Sequence, residues 1–372
     1  MKNIIIIIVI LFTTFIGYSQ SAESYYNSGV NKEHQKDYAA AIMDFNKTIE
    51  ILNPIFANAY FSRGYAKAHL KDYIGSIVDF NKSIELNPAF ADAFFGRGYA
   101  KEQLKNYIGA IADYSKVIEL NPTDADAYNN RGNDKEHLND YKGSFADYNR
   151  AIELNPIFTE AYFGRGIIKA HLEDYKGAIA DYSRAIELNP KYVDAYYNRG
   201  NDKEHLNDYS GAFADYNKAI ELNPMCAEAY FGRGNIKDHL EDYKGAIQDL
   251  NKSIELNPTD IKAYYNRGND KKHLNDYNGS LADYNKAIEL NPIFAEAYFG
   301  KGNIKAHLQE YKRAIEDFNK AIELNATFAE AYYNRGLSKL LLNQKESGCL
   351  DLKRAGELGM DQSYDAIKNK CK

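Results

Sequence analysis

Hydrophobic and polar residues alternate with a helical period through residues 193–226. The first half carries a stripe at i, i+4, i+7 and i+10, as in an amphipathic helix: Tyr196, Gly200, Lys203 and Leu206. Residues 207–211 are polar and turn-forming, and they interrupt this stripe. A second stripe covers Ala212–Leu222 and stops at Asn223-Pro224, because proline moves the preceding residue out of the α region. The segment therefore predicts a helix–turn–helix of 34 residues.

The same segment recurs along the chain at a spacing of 34 residues. All prolines of the protein fall on this spacing: Pro54, Pro88, Pro122, Pro156, Pro190, Pro224, Pro258 and Pro292. A glycine of the first helix recurs in phase and marks ten repeats: Gly29, Gly64, Gly98, Gly132, Gly166, Gly200, Gly234, Gly268, Gly302 and Gly336. A fixed period of this length predicts a helical solenoid, and the recurring glycine predicts close approach of the partner helix.

The repeat resembles the tetratricopeptide repeat. In the frame that begins at Val193, the residues that match the family's positions are Tyr196, Gly200, Tyr209, Ala212, Tyr216, Ala219 and Pro224. Arg199 and Lys203 depart from the pattern, since the family commonly has leucine and tyrosine there. The resemblance implies an all-α fold, a right-handed superhelical solenoid of about ten antiparallel helix pairs with a C-terminal capping helix.

The period also predicts the domain organisation. A signal peptide occupies residues 1–19, the repeats occupy 22–362, and a C-terminal cap occupies 363–372. The ten repeats are 22–56, 57–90, 91–124, 125–158, 159–192, 193–226, 227–260, 261–294, 295–328 and 329–362. The last repeat is degenerate, because Lys345 replaces the tyrosine between its helices and Met360 replaces its proline.

Residues 1–19 have the composition of an export signal. Lys2 gives a positive start, Ile4–Ile16 form an apolar core, and Gly17 and Ser19 are small residues suited to a cleavage site. An apolar run of 13 residues is too short to cross a bilayer comfortably. We therefore expect an exported protein, either periplasmic or secreted.

The three cysteines allow one disulfide in an exported protein. Cys349 lies in the last repeat, and Cys371 ends a short amphipathic segment that we expect to fold back over it. A bond between Cys349 and Cys371 would close a loop of about 23 residues and contribute about 3 kcal/mol in the chain-entropy model. Cys226 replaces an aromatic residue of other repeats, and we expect it to be buried and reduced.

Composition argues against several functions. The formal net charge is −6 and no basic cluster is present, which disfavours nucleic acid and anionic membrane surfaces as partners. The sequence has no GxxxxGK[ST], HExxH, GxSxG or CxxC motif. Its repeated acidic residues lie at helical spacing on solvated faces, where such residues commonly keep the protein soluble. We therefore predict that the chain is not an enzyme and needs no cofactor.

The histidines recur but do not predict a metal site. All eight occupy position thirteen of a repeat, and Gln103 interrupts the series among the first nine repeats. Zinc needs its ligand nitrogens at about 2.0–2.1 Å, whereas packed helices lie about 8–10 Å apart. One histidine per repeat cannot easily converge on an ion, so we predict half-exposed helix residues.

Charged residues form a second recurring series. Lysine holds position eleven and aspartate holds position twenty-three in all ten repeats, while position seven is basic in nine. The family resemblance places these positions in the packing layer between helices. Because a buried unpaired charge is costly, we predict a ladder of ion pairs. The alternative is that the stems pack while the charged ends reach solvent.

The predicted binding site is the face of the first helices. The resemblance implies that their positions two, five, six, nine, twelve and thirteen form a concave groove. Its candidate residues are the aromatic Phe163, Tyr197, Phe231, Tyr265 and Phe299 and the asparagines Asn133, Asn201, Asn235, Asn269 and Asn303. The alternative role of these rings is packing within their own repeats.

The sequence thus predicts a non-catalytic protein–protein interaction scaffold. Asparagine can hydrogen-bond the backbone of an extended peptide, and the acids Asp194, Glu228 and Glu296 favour a neutral to basic partner. We expect that segment along repeats four to nine. The alternative function is a structural or accessory subunit of an envelope assembly or secretion machine whose chemistry lies in a partner.

Overall fold

A computed structural model describes residues 21–52 and 56–371 of the chain. The predicted signal peptide, residues 1–19, lies outside the described residues. The chain forms two compact units that divide after Pro190, and we call them the N-terminal and C-terminal units. The described residues of both units are helices and turns, without a strand among them. Their antiparallel helix pairs confirm the predicted fold class.

The N-terminal unit contains five helix pairs, one for each repeat. The first helix of a pair is called A and the second B. The A helices are α1 (residues 21–34), α3 (Ala57–His69), α5 (Ala91–Gln103), α7 (Ala125–His137) and α9 (Thr159–His171). The B helices are α2 (Tyr38–Leu52), α4 (Tyr73–Leu86), α6 (Tyr107–Leu120), α8 (Tyr141–Leu154) and α10 (Tyr175–Leu188).

The C-terminal unit contains five further pairs and an additional helix. Its A helices are α11 (Val193–His205), α13 (Ala227–His239), α15 (Ile261–His273), α17 (Ala295–His307) and α19 (Ala329–Leu341). Its B helices are α12 (Tyr209–Leu222), α14 (Tyr243–Leu256), α16 (Tyr277–Leu290), α18 (Tyr311–Leu324) and α20 (Lys345–Glu357). The last helix is α21 (Gln362–Lys370).

The turn between the helices of a pair is short and has the same structure throughout. In α11–α12, Asn207 has the left-handed backbone conformation, with φ 60°, and the side chain of Asp208 accepts a hydrogen bond from Gly211 N. This cap starts α12 at Tyr209, three residues earlier than the polar pattern indicated. The same left-handed position, with φ between 59° and 63°, is held by Lys36, Lys71, Lys105, Asn139, Glu173, Asn207, Glu241, Asn275, Gln309 and Asn343.

Close approach of the two helices in a pair depends on the recurring glycine. A Cβ at Gly200 of α11 would lie 2.9 Å from a ring carbon of Tyr216 in α12. Tyr216 is 1% exposed, and its ring fills the space between the helices. Other repeats bury a large side chain at the same position: Phe45, Phe80, Tyr114, Tyr148, Tyr182, Leu250, Tyr284 and Phe318.

The predicted ladder of ion pairs is present. In every repeat, Lys Nζ of position eleven lies 2.6–2.8 Å from Oδ2 of the aspartate at position twenty-three. In eight repeats the arginine at position seven binds the other oxygen, with Nη2–Oδ1 distances of 2.5–2.7 Å. The aspartates are only 1–9% exposed. The ladder therefore joins helix A to helix B in each repeat.

The arginines also join consecutive repeats. Arg233 Nη1 donates to Asn217 Oδ1 of the preceding repeat at 2.6 Å, and Arg97 Nη1 donates to Asn81 Oδ1 at the same distance. Each guanidinium carbon lies 5.2–5.5 Å from the centroid of the ring three residues before it. One planar cation thus contacts a carboxylate, an amide and a ring.

Helix α21 packs on α20 and ends the C-terminal unit. The structure joins Cys349 and Cys371 in a disulfide, with their Cα atoms 5.9 Å apart. Tyr364 of α21 lies against Gly356 of α20. Cys226 is a free thiol and is half-buried, whereas the sequence indicated a buried one, because it caps α13 at the edge of the repeat.

Candidate functional site

The predicted site lies on the side of the A helices that carries positions two, five, six, nine, twelve and thirteen, here called the A-helix face. Its five candidate aromatic residues are half-buried. Four lie 5.7–6.0 Å from a ring of helix B in their own repeat, in the pairs Phe163–Tyr182, Tyr197–Tyr216, Tyr265–Tyr284 and Phe299–Phe318. Phe231 packs on the buried cluster that contains Leu250 and Ile254. These rings therefore contribute to the core, and only their unburied part can contact a ligand.

The five candidate asparagines are also half-buried, and most are hydrogen-bonded within the chain. Four of their Oδ1 atoms accept a hydrogen bond of 2.6–2.9 Å, in the pairs Tyr148–Asn133, Tyr284–Asn269, Asn266–Asn235 and Asn334–Asn303. Asn201 lines a polar cavity described below. The binding role of all ten candidate residues stays a prediction, while their packing role is visible.

An apolar cavity opens on the A-helix face of the N-terminal unit. It lies between α3 and α5 and has a volume of about 520 Å³. His69 and six phenylalanine and tyrosine rings line it: Phe61, Tyr65, Tyr73, Phe80, Phe95 and Tyr99. Tyr65 and Tyr99 hold position nine, and they are 40% and 42% exposed. The cavity belongs to repeats two and three, whereas the sequence predicted a groove in repeats four to nine.

A cavity at the equivalent place in the C-terminal unit is polar. It lies between α11 and α13 and has a volume of about 540 Å³. Asn201 and Asn235 occupy position nine, where the apolar cavity has tyrosines. Glu204, Asp238 and two histidines complete this polar lining. The A-helix face therefore offers both apolar and polar sites at one position of the repeat.

The histidines of position thirteen contact tyrosines of the preceding repeat, and the rings are stacked in four of the six pairs and tilted in Tyr209–His239 and Tyr277–His307. Their ring centroids lie 4.2–5.0 Å apart in the pairs Tyr38–His69, Tyr107–His137, Tyr141–His171, Tyr209–His239, Tyr243–His273 and Tyr277–His307. Each tyrosine is the first residue of a B helix, so the stacks connect consecutive repeats. Across the described part of the chain, His, Cys, Asp and Glu side chains form no group of three that could hold a metal ion.

Three buried aspartates were missed by the sequence analysis. Asp134, Asp202 and Asp270 occupy position ten and are 0%, 2% and 1% exposed. Within the described residues, no donor reaches either carboxylate oxygen of Asp134 or Asp270. The same position is apolar and buried in other repeats, at Ala66, Ala100, Ile168, Ile236 and Ile304. This contrast between repeats was the signal that could have revealed them.

Burial raises the pKa of each of these three carboxyl groups. It raises the pKa of Asp134 to about 8, with a smaller contribution from negative Glu102. Burial also raises the pKa of Asp202 to about 7. The pKa of Asp270 is raised by burial and by the adjacent Asp238 carboxyl, with which it can share a hydrogen bond only when one of them is protonated.

Family models identify the repeats directly. Models described as "Tetratricopeptide repeat" match residues 193–226, 227–260 and 261–294, and also 57–90 and 125–158. A model described as "TPR repeat" matches residues 103–133, 170–201 and 302–342. The chain belongs to the tetratricopeptide repeat family. The repeat fold of this family is generally a non-catalytic protein-interaction scaffold.

Two solved structures show the same fold, and a third is similar over half of the chain. A chain of the APC/C hetero-tetramer Cut9–Hcn1 aligns over 95% of this chain and 84% of its own length, with 14% identity and a TM-score of 0.53. A tetratricopeptide repeat protein from Parabacteroides merdae aligns over 66% and 97%, with 24% identity and a TM-score of 0.50. YrrB, described as a TPR protein with an unusual peptide-binding site, aligns over 50% and 97%, with 28% identity and a TM-score of 0.44.

Two further comparisons concern sequence and membrane topology. No curated protein is significantly similar in sequence to this chain. Within residues 21–52 and 56–371, no helix combines the length and apolar composition that crossing a bilayer requires.

Proposed function

We propose that the chain is a scaffold that binds an extended segment of a protein partner along its A-helix face. The observation that carries this proposal is the aromatic cavity between α3 and α5. Tyr65 and Tyr99 are 40% and 42% exposed there, although large aromatic side chains are normally buried or in contact with a partner. A ligand that covers these rings would remove apolar surface from water.

The charge of the face favours a neutral to basic segment. Asp92, Asp126 and Glu160 occupy position two of consecutive repeats in the N-terminal unit. The pKa of Asp126 is raised by burial and then by repulsion from Asp124 and Glu160, so Asp126 is close enough to both acids to interact with them. A basic residue would relieve this repulsion, whereas an acidic segment or a nucleic acid would increase it.

Selection from a displayed peptide library tests this function. The purified full chain is the bait, and a variant with Tyr65→Ser and Tyr99→Ser is the control. Because both residues are substantially exposed, the variant keeps its helicity and melting temperature. We expect selected peptides to lose at least about tenfold in affinity for the variant, which is the contribution of about one aromatic contact. Failure to select any peptide, or equal binding by the variant, would contradict the proposal.

We further propose that the protein acts outside the cytoplasm, in the periplasm or as a secreted protein. Lys2, the apolar Ile4–Ile16 and the small residues before Gln20 support export. Mass spectrometry of the protein from its native source should give an N-terminus near Gln20. Recovery of the chain with Lys2 intact from the cytosol would contradict export.

A further inference from the structure

One tyrosine of the N-terminal unit lacks the stacking partner that its equivalents have. Tyr38, Tyr107 and Tyr141 begin B helices, and each carries a histidine of the following repeat at 4.4–5.0 Å: His69, His137 and His171. Tyr73 begins α4 in the same way, but the following repeat has the exposed Gln103 at the histidine position. Among the described residues, the ring contact of Tyr73 is an edge contact with Tyr99 at 6.5 Å.

The unstacked ring borders the apolar cavity. Tyr73 lines the cavity with Tyr65 and Tyr99 from the two flanking A helices, α3 and α5. With a volume of about 520 Å³, the cavity is large enough for an entire aromatic side chain. The three stacks elsewhere in this unit show that a planar ring fits against such a tyrosine. The equivalent stacks in this unit therefore indicate that a ligand group bound against Tyr73 would be a planar ring.

One acidic and one basic side chain lie at the cavity, and the edge beyond the acidic one carries further acids. Asp92 lines the cavity and is exposed, and among the described residues it forms no hydrogen bond or ion pair. Lys71 lies at the same cavity, and it has the left-handed backbone conformation of the turn that follows α3. Asp126 and Glu160 continue the position of Asp92 in the next two repeats, so negative charge extends along this edge. A basic group next to the ring would complement it.

We propose that the cavity between α3 and α5 binds an aromatic side chain of the partner segment, stacked on Tyr73 in the place of the absent histidine. A basic residue adjacent to that side chain pairs with Asp92. This inference rests on the proposed scaffold function and specifies the chemistry of its ligand. It also moves the site from repeats four to nine to repeats two and three.

A single substitution distinguishes binding at this site from non-specific binding to the A-helix face. Gln103→His supplies the ring that neighbouring repeats have, so it should cover Tyr73 and compete with the ligand. Gln103→Ala removes the same glutamine without supplying a ring and is the matched control. Gln103 is exposed at the end of α5, so both variants should fold, which circular dichroism can verify.

The probe is the peptide N-acetyl-Lys-Trp-Lys-amide. The protein contains no tryptophan, so the fluorescence of the probe can be followed selectively. We expect a saturable blue shift with the wild-type chain and with Gln103→Ala, and an affinity at least about tenfold lower with Gln103→His. A probe with leucine in place of tryptophan should compete poorly. Equal affinity of the two Gln103 variants, or equal competition by the leucine probe, overturns the stacking site.

Charge is tested with N-acetyl-Glu-Trp-Glu-amide. This probe should bind the wild-type chain more weakly than the lysine probe, and Asp92→Asn should reduce the difference. An unchanged difference in Asp92→Asn overturns the role of Asp92.

Peptides selected from the display library separate this inference from the scaffold function. Selected peptides that bind Gln103→His as tightly as the wild type overturn the inference and leave the scaffold function standing. Selection of no peptide overturns both.

Discussion

Repeats four and five join their predecessors through two different kinds of interface. Repeat five places Ile168 in a dry cluster with Tyr148, Ala151 and Ala161. Repeat four places Asp134 at the equivalent position, where its nearest charged and polar groups are Glu102 and Tyr114 of repeat three.

The residue at position six differs in parallel. Repeat five has Gly164, at which a Cβ would clash with the ring of Tyr148. Repeat four has Asn130, whose side chain lies close enough to Tyr114 to influence the pKa of its hydroxyl. The same combinations recur in the C-terminal unit. The repeat that contains Ile236 has glycine at position six, and the repeat that contains Asp270 has asparagine there. Both interfaces use the same helices and the same ladder, so one backbone accepts a packed interface and a polar one.

The largest expected effect comes from converting the dry interface into the polar one at a single position. Ile168→Asp places a carboxylate in an apolar cluster without the asparagine that accompanies Asp134. We expect the free energy of unfolding to fall by about 3–5 kcal/mol, the effect of an uncompensated buried charge. Urea denaturation of the full chain measures it, with the exposed Ala146→Asp as control. A loss below about 1 kcal/mol would show that the interfaces are interchangeable at this position.

The ladder should not distinguish the two kinds of repeat. Asp249 belongs to a repeat with Ile236, and Asp215 belongs to one with Asp202. Replacing either aspartate with leucine leaves an arginine and a lysine without their shared carboxylate, and we expect a loss of about 3 kcal/mol at both sites. Adding Lys237→Met to Asp249→Leu should recover part of it.

Glu221→Leu removes an exposed ion pair with Lys218 and is the control for these variants. It should change the free energy of unfolding by less than about 1 kcal/mol. Unequal losses for Asp249→Leu and Asp215→Leu would mean that the ladder depends on the kind of interface.

The reverse conversion should stabilise the chain. Asp134→Ile replaces a buried carboxyl that has no cationic partner with the side chain found in the next repeat. At pH 7.5 most of this carboxyl is protonated, and its buried oxygens have no hydrogen-bond donor among the described residues. We expect the free energy of unfolding at that pH to rise by about 1–3 kcal/mol, the cost of an unsatisfied buried polar group that the substitution removes. A urea midpoint lower than that of the wild type would show that Asp134 stabilises the polar interface.

The pH dependence should give the smallest effect when it is measured per pH unit. In the unfolded chain an aspartate has a pKa of about 3.9, so at higher pH the folded chain holds protons that the unfolded chain has released. The resulting stability is fully present below that pH and is lost as the pH rises through about 7 for Asp202 and about 8 for Asp134.

Each group contributes a slope of at most about −1.4 kcal/mol per pH unit. Urea titrations between pH 5 and pH 8 should show a flatter profile after Asp134→Ile and Asp202→Ile. An unchanged profile would mean that the aspartates are ionised throughout this range.

Strict repetition explains why much of the fold was predictable from the sequence. The Asn223-Pro224 stop and the basic and acidic positions of the ladder have the same meaning in each repeat, so ten copies reinforce one inference. Asp134 was missed because it follows Asn133 and precedes two further charged residues, and such a run is typical of a solvated face. Its burial follows from the preceding repeat, which the local pattern does not contain.

The site was harder to predict than the fold for a similar reason. The sequence identifies position five of an A helix, but whether its ring packs inward or meets a ligand depends on the side chain of helix B. The cavity depends on a combination of residues, with Tyr65 and Tyr99 at position nine and Gln103 in place of histidine. No single repeat contains that combination.

The left-handed turn between the helices has a consequence for the thermal stability of the chain. Glycine occupies this conformation readily, yet all ten turns use another residue, and in six of them it is lysine, glutamate or glutamine. Replacing such a residue with glycine relieves backbone strain and gains about 0.5 kcal/mol after the greater freedom of the unfolded chain is subtracted. In a repeat protein these gains add along the chain. Glycine substitutions at these turns would therefore raise the thermal stability above that of the present sequence.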